Sequence, residues 1–132
     1  MQHPSLAEWE SRLTELLNEL DDVLEDGYGH HYRLHPARPH RGRTASKAHD
    51  GLFDITANFT LGLGSEHGKG YVIDIRLSTL EKVPDEIIEQ IEEKTIAHLK
   101  QRLRHYFPEK NLTVQKDGPV IKLHGDLSLG HV

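Results

Sequence analysis

The side chains best equipped for chemistry lie in one stretch. Between Gly27 and His49 the chain carries five cations (Arg33, Arg38, Arg41, Arg43 and Lys47), five histidines, two tyrosines and no acid. Cations at this density neutralise phosphates or carboxylates, and the interleaved rings offer stacking surfaces to bases. The formal charge of the whole chain is -5 at pH 7, so the +5 of this stretch leaves -10 for everything else. A basic island in an acidic protein points to a local contact with an anion, and excludes a protein that coats nucleic acid with its entire surface. The competing reading is internal: the island shields acids of the same chain. No motif of the common RNA-binding folds accompanies the island.

Other constellations are weaker. His30, His31 and His35 follow Asp22 and Asp26 at spacings a metal could use, but imidazoles on a flexible arm are not preorganised, so no metal site and no cofactor is assigned. The chain has no cysteine, which removes thiolate metal sites, disulfides and cysteine nucleophiles. Gly68-Lys69 lies in a glycine-rich turn whose spacing is not that of a phosphate-binding loop and which joins strand to strand. Lys69 therefore joins the anion-binding candidates only as a cation near exposed amides. A second candidate site places Asp54, Asp74, Arg76 and His124 on the polar face of a sheet, with His49 nearby, where an acid, a base and a cation could share a substrate.

These residues need elements to hold them. Ser5 followed by Glu8 is a capping box opening a helix over 5–26, along which Leu6, Trp9, Leu13, Leu16, Leu20 and Val23 recur at spacings of three and four before Gly27. The spacing is that of a bundle or coiled-coil seam, which makes a homodimer through this helix one expectation and packing within the chain the other. The helix carries eight acids against Arg12 alone, four of them in its last turns. A helix C-terminus is already negative, so that end calls for a positive partner, and the island is adjacent.

Residues 28–50 show no apolar period and read as a long arm, weakly ordered between Arg33 and Lys47. Strict alternation from Phe53 to Leu61 and from Tyr71 to Leu77 makes two strands of a hairpin. Pro84 opens a second amphipathic helix that Pro108 ends, with acids leading and cations trailing, as the dipole favours. Two further strands flank Asp117-Gly118, a hairpin signal.

The order α-β-β-α-β-β predicts an α+β fold: a four-stranded, mainly antiparallel sheet, one face covered by the long amphipathic helix, beside the heptad-like first helix. Residues 1–132 are expected to form a single domain, with 51–132 as its α+β body. Nothing at the N-terminus resembles a leader and no stretch would span a bilayer, so the expected address is the cytoplasm. Two functions are consistent with these observations. The first is a non-enzymatic binding or adaptor module that presents the basic arm to nucleic acid or an acidic protein. The alternative is a small-molecule binder or enzyme using the polar sheet face or a pocket under the arm.

Overall fold

The structure, a computed structural model, describes residues 4–44, 46–60, 70–117 and 120–125. Helix α1 (Pro4–Tyr28) leads through the arm and a single 3-10 turn (Lys47–His49) into strands β1 (Phe53–Thr60) and β2 (Gly70–Leu77). Helix α2 (Asp85–Tyr106) and strands β3 (Leu112–Asp117) and β4 (Val120–Gly125) follow, in the expected α-β-β-α-β-β order. The sheet runs β1-β2-β4-β3 with every neighbouring pair antiparallel.

Alternation decides the faces. Phe53 and Ile55 of β1, Ile73 of β2, Ile121 and Leu123 of β4 and Val114 of β3 are buried on one face. Both helices lie over that face, α1 against β1 and α2 against β3. Trp9 joins the layers: its ring centroid is 4.3 Å from that of Phe107 and 5.7 Å from that of Tyr71.

The helices run antiparallel. Arg12 meets Glu109, Glu19 takes Arg102 and Tyr106, and Tyr28 lies beneath Lys94, so rising numbers in α1 meet falling numbers in α2. Glu19 is held below the usual carboxylate range, chiefly by the Arg102 hydrogen bond and then by Tyr106, against the opposing effect of burial.

The seam of α1 is therefore occupied. Trp9, Leu13, Leu16, Leu20 and Leu24 are all buried inside their own chain. This is the second of the two expectations, packing within the chain: the heptad-like spacing arises because α1 packs on α2 and the sheet at once. Val23 alone among the seam residues with described side chains stays 41% exposed. The helix starts at Pro4, so Ser5 lies within it; the capping hydroxyl of Ser5 and the side chain of Leu6 lie outside the described side chains. Glu8 pairs with Arg12 one turn on.

One hydrogen bond sets the parity of the sheet edge. Ser78 N–H donates to the Leu52 carbonyl at 2.7 Å. Alternate residues of β1 therefore bond β2, while Phe53, Ile55, Ala57 and Phe59 turn their amides to the outer edge. At Phe53 that edge is closed by side chains: its N–H donates to Glu25 Oε2 at 3.2 Å and its carbonyl accepts from Arg38 at 3.0 Å. Glu25 comes from the acidic end of α1 and Arg38 from the basic stretch that follows it.

Candidate functional site

The C-terminal end of α1 and the arm that folds back across it enclose a cleft of about 750 Å3. Its floor is acidic, with Asp22, Glu25 and Asp26; the arm supplies Arg33, His35 and Arg41 among its walls. Four tight turns and tertiary hydrogen bonds shape the arm, in place of the weak order expected of it. The reason is side-chain bonding to backbone, which leaves no hydrophobic period to read. Arg38 donates to three carbonyls, those of Gly51 at 3.0 Å, Asp50 at 3.1 Å and Phe53 at 3.0 Å. Gly51 N–H returns a bond to the Pro39 carbonyl at 3.0 Å, and His35 N–H reaches the Ser78 carbonyl at 2.7 Å.

Arg41 sits among three carboxylates. Its Nη1 lies 2.8 Å from Asp21 Oδ1 and 3.4 Å from Asp50 Oδ1, and its Nη2 lies 2.8 Å from Asp22 Oδ1. Lys47 closes on the other oxygen of Asp22. This is the positive partner that the acidic end of α1 requires.

Each acid responds differently. Burial pushes Asp50 up, but the amide and hydroxyl of Thr44, each 3.0 Å from Oδ2, and the charge of Arg41 hold it below the usual range. Burial likewise opposes ionisation of Asp22, and hydrogen bonds from Lys47 and Arg41 outweigh it. Asp21 is the exception. It is 2% exposed, its Oδ1 has no aligned hydrogen bond despite the close Arg41, and burial raises its pKa to about 7 against the pull of that guanidinium. Glu25 and Asp22 push in the same direction as burial.

Glu25 anchors the arm to the sheet. Besides Phe53 it accepts from Leu52 N–H at 2.7 Å, so one carboxylate seats the start of β1 on the end of α1. Gly51 makes room for it: φ is +74°, and a Cβ there would lie 2.8 Å from Glu25 Oε1.

The anion-binding candidates thus divide. Arg38, Arg41 and Lys47 are bonded within the chain, as the internal reading of the island expects of them. Arg33 and Arg43 are exposed, and neither side chain has a partner among the described residues. Lys69 lies outside the described residues. His30, His31, His35 and His40 are exposed around Arg33. Among the described residues no three His, Asp or Glu side chains gather in a way that could hold a metal ion.

The polar-face site does not assemble. Asp54 stands opposite Arg76, whose Nε is 2.9 Å from Asp74 Oδ2, so these three meet at one end of the hairpin. His124 stands opposite Gly70 and within 3.1 Å of Gln115. Four residues of extended strand separate Gly70 from Asp74, about 13 Å, and Arg76 is about 20 Å along. His49, exposed on the 3-10 turn, belongs to the arm. No single ligand atom could touch the set.

Sequence reasoning singled out the cations and missed the buried acids that hold them. A signal was present: Asp21 falls four residues after Leu17 and three before Leu24, on the flank of the buried stripe.

Residues 4–125 match a protein family described as "Uncharacterised protein". The chain belongs to that family. An "Uncharacterized protein" of Borreliella burgdorferi (strain ATCC 35210 / DSM 4680 / CIP 102532 / B31) is 42% identical over 118 residues, which cover 89% of this chain and 92% of that protein. No solved structure matches the chain. The matched region holds the whole network of Asp21, Asp22, Arg41, Lys47 and Asp50. None of the described helices is long and apolar enough to cross a membrane.

Proposed function

We propose that the chain is a non-enzymatic binding module that presents the rim of its folded arm to an anionic partner, a nucleic acid or an acidic protein surface. The observation that carries this reading is the division of labour among the cations. Arg38, Arg41 and Lys47 pin the arm, and the pinned arm holds Arg33 and Arg43 outward with no internal partner among the described residues. The exposed imidazoles of His30, His35 and His40 line the same cleft as Arg33 and add hydrogen-bonding groups and flat rings. Holding these groups in a fixed collar lowers the ordering cost that a flexible arm would meet on binding.

The test is a binding titration of the full chain against a labelled single-stranded oligonucleotide at rising salt, with poly-glutamate as competitor. A linear fall of log K with log salt supports the reading, and Arg33→Ala and Arg43→Ala should each lower the slope by about 0.7. Absence of binding to both polyanions at low ionic strength overturns it.

A second reading rests on the cleft itself. Its volume of about 750 Å3 falls within the range of small-molecule pockets, and it lies under the arm. Thermal-shift screening against a panel of small metabolites separates the two: stabilisation by an uncharged compound with no response to polyanions favours the pocket. A homodimer, if formed, must use a surface other than the apolar stripe of α1; sedimentation of the chain at two concentrations tests this.

A further inference from the structure

The three carboxylates around Arg41 are not equivalent, and the difference has a direction. Asp50 is saturated by Thr44 and Arg41, and Asp22 by Lys47 and Arg41. Asp21 is as buried as Asp50, at 2%, while its neighbour Asp22 is 51% exposed at the side chain, and its Oδ1 faces the guanidinium out of line for a hydrogen bond. Facing it are Asp22 and Glu25 from its own helix and Arg41 from the arm. Lys47 and Asp50 stand behind these, reaching Asp21 through Asp22 and Arg41. Counted together, two cations confront four carboxylates, so the junction carries surplus negative charge, and neutralising one acid halves it.

We propose that Asp21 is a proton-operated latch: docking of the arm on the end of α1 takes up a proton at this carboxyl, so the arm is held more tightly on mild acidification and more loosely at alkaline pH.

Burial sets the direction of the effect. With the arm docked, water is excluded from Asp21, which favours the neutral acid and outweighs the opposing pull of Arg41, leaving a pKa of about 7. With the arm lifted, the same carboxyl meets water and returns toward the ordinary aspartate range. A group bound more tightly to its proton in the docked form makes docking stronger as pH falls through its docked pKa, by at most tenfold per pH unit, until the undocked group is protonated too. Above about 8 the effect is complete and docking is at its weakest. Asp22 and Asp50, held below the usual range, keep Arg41 in place throughout this window. The latch therefore eases the arm and does not eject it. It operates whatever the arm binds, and so stands apart from the polyanion reading.

The experiment is amide hydrogen exchange of the full chain at pH 6 and pH 8, corrected for intrinsic rates, read at Thr44, His49 and Gly51, whose N–H groups bond within the docked arm. About tenfold loss of protection is expected in the wild type between the two pH values. Asp21→Asn, which mimics the neutral acid, is expected to keep its protection at pH 8. A carbon-13 titration of the Asp21 carboxyl in the unmodified chain gives an answer independent of any variant, with a midpoint expected near 7. A midpoint in the ordinary aspartate range, pH-independent protection in the wild type, or the same profile in Asp21→Asn overturns the proposal.

Discussion

Replacing Arg38 with alanine separates a cation that builds the arm from one that serves a partner. Its guanidinium donates to three carbonyls, of which that of Phe53 lies on the outer edge of β1 and those of Asp50 and Gly51 in the turn leading to it. A hydrogen bond to a charged group contributes roughly 1.5–3 kcal/mol, but these carbonyls are only partly buried and water replaces part of the loss. A net cost of about 2 kcal/mol follows, well below the sum of three bonds. For a chain of this size that is a fall in Tm of about 6–8 °C. Arg33→Ala and Arg43→Ala remove exposed groups with no described partner and should leave Tm within about 1–2 °C. The assay pairs calorimetry with the oligonucleotide titration. Arg38→Ala should lower Tm and leave the salt slope of whatever folded protein remains, whereas the other two should lower the slope and leave Tm. An Arg38→Ala protein with unchanged Tm and a reduced salt slope would refute the assignment, because the guanidinium would then be facing the partner.

Gly51→Ala should destabilise by more than the ~1 kcal/mol of a positive φ alone, since the new methyl would lie 2.8 Å from the Glu25 carboxylate that seats β1; chemical denaturation measures it. Trp9→Ala should cost about 3–5 kcal/mol, because its ring is 5% exposed and fixed between Phe107 and Tyr71; urea melts with an unchanged m-value would confirm a packing loss. The pH profile of stability should have two limbs, read from melts between pH 3 and 9. Asp22, Asp50 and Glu19 are depressed in the folded chain, so the stability they contribute is present above the ordinary carboxylate range and lost as pH falls through their folded values. Asp21 is raised, so its contribution is full below the ordinary aspartate value and declines as pH climbs toward about 7, by at most ~4 kcal/mol.

The parts of the fold that repeat could be read from residue order. The strand alternation around Ile55 and Ile73, the apolar face of α2 through Ile91, Thr95, Leu99 and Leu103, and the pairing of the last two strands each reappear; Asp117 pairs with Val120, while Gly118 lies outside the described residues. The arm could not be read this way, because its order comes from Arg38 and Arg41 reaching carbonyls and carboxylates far along the chain, and such bonds leave no period. Charge came closer. Four acids at the unfavourable end of α1 require a cation, and Arg41 and Lys47 supply it. What the charge pattern did not reveal is that meeting this requirement removes those two from the set available to a partner. The polar sheet face failed for another reason: outward alternation fixes which side a residue occupies, and only the register shows that His124 lies far along the sheet from Asp74 and Arg76.

The junction of α1 with the arm gains more in geometry than in free energy. Removing charges from water offsets much of what their attraction returns, so Arg41 among its carboxylates is a poor source of net stability. It is a good source of position, because a guanidinium bonded to Asp22 and Asp50 at once can sit in one place only. An apolar plug could close the same gap but would leave the arm free to slide, since apolar contact has no direction. Arg33 and Arg43 lie at either side of the Arg38–Arg41 anchor, so fixing that anchor fixes the spacing of the two outward cations. A partner that recognises a spacing between charges needs this, and one that recognises only their sum does not. Polyanions of equal charge but different spacing, such as single-stranded oligonucleotide and poly-glutamate, should then bind with different affinities at the same salt. Equal affinities across them would mean that the collar acts as a diffuse positive patch, for which the buried network would serve no purpose beyond neutralising α1.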